Sequence, residues 1–248
     1  MEIHEPELSK ENFSLISYDK PVVLKNKSSH IAIFDTFKTK NNKFTGEAKR
    51  QRGIICHLVL EKNPELRTRT SIAHAIAKNN GMLWQNIYSA IFKDLNEVLI
   101  PSGLVTEGGR LPLRRGPKAL QLEGIPYYEL TETGVLVASS IEELGISRIK
   151  IIETYFTNIH DSTSGNDILK KSILLLLQTI PSFVIKIVNA YIYAYSSGKI
   201  DSIHPLTLDK LRYVLKDQIS IEREFIETYD ALFQNQKILL KDFIKIIS

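Results

Sequence analysis

The sequence predicts a mostly α fold in which three helices are closed by a β-hairpin and followed by a helical C-terminal half. Three observations predict it. Apolar residues recur at intervals of three and four from Glu47 to Val98, the period of an amphipathic helix. Two strand-like fragments flank a loop dense in glycine, proline and cations, Gly108 to Lys118. From Ile146 onward the helical period persists, interrupted by a polar stretch at 161–166 and divided by Pro181.

The first helix runs from Glu47 to Lys62, with Ile54, Ile55, Leu58 and Val59 on one face. Asn63-Pro64 stops it, because proline disfavours a helical residue before it. The run SIAHAIAKNNG then follows the basic, hydroxyl-bearing stretch Leu66-Arg67-Thr68-Arg69-Thr70, which can cap it. It places Ile72, Ala73, Ile76 and Ala77 on one face and ends at Asn79-Asn80-Gly81. Helix three, MLWQNIYSAIFKDLNEVL, turns Trp84, Ile87, Tyr88, Ile91, Leu95 and Val98 inward and Gln85, Asn86, Ser89, Lys93 and Asn96 outward. Two helices joined by a tight Asn-Asn-Gly turn have the local form of a helix-turn-helix.

Pro101-Ser102-Gly103 breaks helix three, and Leu104-Val105-Thr106 is a short strand. The basic loop comes next, then Tyr127-Tyr128-Glu129-Leu130 as the returning strand, and Thr131 caps a helix reading ETGVLVASSIEEL. Ile146 to Ile159 is amphipathic, residues 161–166 form a polar linker, and Asp167 to Tyr195 is apolar with Pro181 dividing it. One or two long helices run from Leu206 to the end, with a seam of Phe225, Tyr229, Leu232, Leu239, Phe243 and Ile246 suited to packing within the chain or against a second copy. The alternating HIAIFDTF at His30 to Phe37 reads as part of an arm that covers the three-helix unit or crosses to a partner.

Three helices plus a β-hairpin make a winged helix, and over roughly residues 47–140 the sequence resembles the winged helix-turn-helix regulators of the PadR and MarR kind. The motifs are Gly103-Leu104-Val105, the step from helix three into the wing, and Tyr128-Glu129-Leu130-Thr131-Glu132-Thr133-Gly134, which closes it. Two features depart from that pattern: residues Asn96 to Ser102 lengthen the step, and the wing is long and rich in glycine and proline. The resemblance implies that helix three lies in a DNA major groove, where Gln85 and Asn86 would make paired hydrogen bonds to adenine and Ser89 and Lys93 would extend the reading face. Arg110, Arg114, Arg115 and Lys118 on the wing would meet phosphates or the adjacent minor groove. Arg67, Thr68, Arg69 and Thr70, at the start of helix two, would meet a neighbouring phosphate.

Charge points the same way. Residues 46–118 carry 12 basic and 6 acidic residues, whereas residues 119–144 carry no base and five acids. A local basic surplus is the electrostatic footprint of a nucleic-acid site. The plain alternatives are a solvated helix face for Gln85, Asn86 and Ser89, core packing for His57, His74 and Trp84, and a protein-interaction use of the whole module.

Composition excludes disorder: 43% of residues are hydrophobic and 24% charged. The single Cys56 lies in an apolar run and reads as a buried small hydrophobe, and the N-terminus lacks the pattern of a secretory signal; both suit a cytoplasmic protein. The sequence has no Walker loop, no G-x-G-x-x-G after a strand, no H-E-x-x-H and no cysteine pair spaced for zinc, so neither an enzyme nor a cofactor is expected. The run ILLLLQTIPSFVIKIVNAYIYAY is long enough for a bilayer, which would make a membrane-tethered regulator, but Pro181, Lys186 and Asn189 sit near its middle. The expected protein is a sequence-specific regulator of transcription that binds double-stranded DNA. Its parts are an N-terminal extension (1–45), a winged helix (46–144) and a helical domain (145–248) for homodimerisation or an unidentified effector.

Overall fold

The computed structural model describes residues 33–34, 38–81, 83–112, 124–158 and 164–247. Among them are ten α-helices and one two-stranded antiparallel sheet. The fold is mostly helical, as the period of the sequence predicts.

Helix α1 (Gly46–Leu60) starts at Thr45, whose hydroxyl accepts from the Ala48 amide at 3.2 Å. A 3-10 turn (Pro64–Arg67) leads to α2 (Arg69–Asn80), capped by Thr68 and closed by Gly81. Gly81 adopts φ +63°, the left-handed conformation that an L side chain resists, and so turns the chain tightly into α3 (Trp84–Lys93). Helix α3 runs on as a π-helical turn (Asp94–Leu99), which takes up part of the lengthened step. Asp94 is 2% exposed, and its carboxylate is gripped by Arg50 and Gln51 of α1. The end of helix three is thereby fixed to helix one.

Strands β1 (Val105–Leu111) and β2 (Ile125–Leu130) pair in register from Val105↔Leu130 to Leu111↔Ile125, with a bulge at Gly108. Both strands are longer than the sequence fragments predict. The two quoted motifs meet here. The Thr131 amide donates to the Leu104 carbonyl at 3.1 Å, and Thr131 then caps α4 (Glu132–Ser139) by accepting from the Gly134 amide. A Cβ at Gly134 would stand 2.0 Å from the Leu104 carbonyl oxygen, so only glycine lets α4 approach β1 this closely.

After a 3-10 turn (Glu142–Leu144) come α5 (Ser147–Asn158), α6 (Ser164–Thr179) and α7 (Pro181–Ser196), with Pro181 in the first turn of α7, where its missing amide costs nothing. Arg148 of α5 donates to the Ser139 carbonyl at 2.7 Å and to Asn189 of α7 at 2.6 Å, which accounts for an amide in so apolar a run. Buried apolar residues form one continuous cluster from Ile33 to Leu215, so the core does not break at residue 144. Ile33 and Phe34 belong to it: the Ile33 carbonyl accepts from Arg52 at 3.0 Å, and Phe34 meets Tyr195 edge to face. This part of the arm packs on its own chain. No helix among the described residues is long and apolar enough to cross a membrane.

The last stretch departs most from expectation. It forms three helices, α8 (Leu208–Leu215), α9 (Ser220–Ala231) and α10 (Gln234–Ile247), where one or two were predicted. Among the described residues only α8 of these three joins the core, and α9 has no buried residue.

Candidate nucleic-acid interface

Helix α3 buries Ile87 and Ile91 and presents Gln85, Asn86, Ser89 and Lys93 to solvent. These four share one face, with Lys93 loosely paired to Glu97 at 3.9 Å. Phe92 lies on the same face, seven residues after Gln85 and three after Ser89, and is 44% exposed. The sequence reading missed it. The helical spacing of positions 85, 89 and 92 carries that signal, but an aromatic in an amphipathic run is ordinarily assigned inward. Leu83 offers no side-chain cap to α3, so its cap leaves the positive end of the helix open to an acceptor.

The residues at the start of α2 divide into two kinds. Arg67 is 9% exposed and faces inward: it donates to Glu129 of β2 at 2.8 Å and to the Glu61 carbonyl at 2.8 Å. Thr68 is also buried and is used as the cap of α2. Neither presents its side chain to solvent, contrary to the expectation of a phosphate contact, because each satisfies polar groups that the fold would otherwise leave bare. Thr70 is exposed. Arg69 is half-buried; its guanidinium lies 4.2 Å from the Phe92 ring centroid and donates to Asn96 at 3.0 Å. It also lies over Tyr128 of β2 at 5.5 Å, and burial there pushes the Tyr128 phenol up, with Arg69 opposing. Arg69 therefore sets α2, α3 and the hairpin relative to one another.

On the hairpin, Arg110 is exposed and paired to Glu107 at 2.8 Å. Arg114, Arg115 and Lys118 lie outside the described residues.

Part of the basic surplus is structural. Arg50, Arg52 and Arg67 hold Asp94, Glu143 and Glu129, respectively. The two histidines are not core residues. His57 is half-buried with a ring nitrogen 2.8 Å from the Leu66 carbonyl, and His74 is exposed with its ring 4.6 Å from that of Trp84. Trp84 packs at the edge of the core against Tyr88. Burial pushes the Cys56 thiol up to about 12, which keeps it protonated and unreactive near neutral pH.

No family model, no curated protein and no solved structure matches this chain. What the surface can do is read from its own geometry. One exposed helix face carries amide, hydroxyl, ammonium and aromatic groups and no acid among Gln85, Asn86, Ser89, Phe92 and Lys93. The hairpin is held to the turn before α2 through Arg67 and Glu129.

Proposed function

We propose that residues 46–144 form a winged helix-turn-helix and that the protein is a sequence-specific, double-stranded DNA-binding regulator of transcription, acting as a homodimer through its C-terminal helices. The observation that carries this reading is the outward face of α3, rich in side chains able to read bases and joined to α2 by the left-handed Gly81 turn. Gln85 and Asn86 suit paired hydrogen bonds to adenine, Lys93 and Ser89 suit acceptors on neighbouring edges, and Phe92 suits a thymine methyl. The uncapped first turn of α3 favours an approaching phosphate. Arg110 of β1, with Arg114, Arg115 and Lys118 after it in the sequence, supplies cations for the backbone or the minor groove.

The test is a competition assay with a duplex selected from a randomised pool. Replacing Gln85 and Asn86 by alanine should remove about 1–3 kcal/mol of discrimination for each good paired contact while leaving binding to random duplex nearly intact. Equal weakening on selected and random duplexes would remove α3 as the reading helix. Failure to select any duplex would leave the protein-interaction reading of the module in first place.

A further inference from the structure

We propose that α9 and α10 are exchanged arms: in a pair of identical chains, the acidic α9 of each copy lies against the basic α10 of the other. The proposal rests on the homodimer reading for the existence of the pair and adds which helix meets which.

Both helices are strongly amphipathic, and among the described residues their apolar faces stand exposed. Ile221, Phe225 and Tyr229 follow one another at four-residue intervals along α9, with Ile221 77% and Phe225 45% exposed. On α10, Leu239, Phe243 and Ile246 repeat at four and three residues, with Leu239 73% and Ile246 82% exposed. Among the described residues, neither the core nor the half-buried apolar side chains packed against it extend beyond Ile219. The tie from α9 to the body is polar, the ion pair of Lys186 with Glu222. Across the turn at Leu232-Phe233, Lys237 donates to the Asp230 carbonyl at 3.2 Å and sits over the Tyr229 ring. Apolar faces of this size on two successive helices mark an association surface, not a solvated end.

Charge selects the occupant. Helix α9 carries Glu222, Glu224, Glu227 and Asp230 against Arg223, whereas α10 carries Lys237, Lys241 and Lys245 against Asp242. An occupant must therefore offer a basic amphipathic helix to α9 and an acidic one to α10. A second copy of this chain offers both at once. Two-fold symmetry guarantees the reciprocal contact, and pairing α9 with α9 would instead set acid against acid. The helices are 12 and 14 residues long, about 18 and 21 Å, so each spans nearly the whole of its partner.

Two sets of charge reversals on the full chain test the exchange. One variant changes Glu224, Glu227 and Asp230 to lysine; the other changes Lys237, Lys241 and Lys245 to glutamate. At tens of micromolar and low salt, light scattering should give a dimer for the native chain and a monomer for each variant alone. An equimolar mixture of the two variants should recover a dimer, because both α9–α10 contacts are again between opposite charges. A native chain that stays monomeric overturns the proposal together with the homodimer reading. A native dimer that both reversals leave intact, or a mixture that stays monomeric, overturns the exchange alone. Disulfide trapping gives an independent readout: Phe225→Cys chains mixed with Leu239→Cys chains should form mixed cross-linked dimers far faster than either forms its own, and equal rates would reject the pairing.

Discussion

Arg67 and Glu129, 62 positions apart in the chain, meet at 2.8 Å and lock the turn before α2 to the second strand of the hairpin. The guanidinium also satisfies the Glu61 carbonyl, so one side chain serves three elements. Arg67→Met keeps the apolar stem but leaves that carbonyl and the carboxylate without their donor. The expected cost is about 2–3 kcal/mol in urea denaturation. Glu129→Gln, at a half-exposed position where the amide oxygen still accepts, should cost clearly less. Native-like stability for Arg67→Met would show that the strut is incidental.

Two glycines separate close approach from mere flexibility. Gly134→Ala drives a Cβ into the Leu104 carbonyl, a backbone atom that cannot rotate away, and should destabilise by at least about 2 kcal/mol. Gly46→Ala, with nothing within 4 Å of the added carbon, should be neutral or stabilise by up to about 1 kcal/mol. Thermal unfolding of the pair decides; equal shifts would mean that α4 is free to move off β1.

Arg52 donates to both oxygens of Glu143, and that hydrogen bonding holds the carboxyl below its ordinary 4.5 despite partial burial. Because the folded value lies below the unfolded one, the carboxylate contributes stability above pH about 4.5, and this is lost as pH falls through the folded value. Glu143→Gln should therefore lower stability at neutral pH and flatten the acid side of the stability–pH profile. An unchanged slope between pH 5 and 3 would assign acid unfolding to other carboxylates.

The proposed phosphate contact of the basic loop is tested by salt. If Arg114 and Arg115 neutralise phosphates, replacing both with alanine should weaken binding to all duplexes and reduce the slope of log affinity against log salt by up to about 1.8. A loss that depends on A·T content at the flanks would place an arginine in the minor groove. Unchanged affinity and slope would overturn the proposed phosphate contact of this loop.

Much of this fold was legible because its signals are local. The period of Ile54, Ile55, Leu58 and Val59, the threonine caps at Thr68 and Thr131, the Gly81 turn and Pro181 each act within a few residues, and the helices and strands fall where those signals place them. The exposed polar face of α3 was legible for the same reason, save for Phe92. Its chemistry suggests the core, but its ring stays at the surface beneath the guanidinium of Arg69 from another helix.

The sequence by itself determined the mostly helical class, the order of the elements and the hairpin, since helical period, caps and turn residues need no distant partner. Only the tertiary structure decided which cations face inward. Arg52 and Glu143 are 91 positions apart and Arg50 and Asp94 are 44 apart, and nothing in a run of lysines and arginines says which will find a distant carboxylate. It also decided that Ile33 and Phe34 join the core while the equally apolar α9 and α10 do not. An amphipathic stripe specifies that a face must be covered, and the position of the other elements in space determines whether its own chain can cover it.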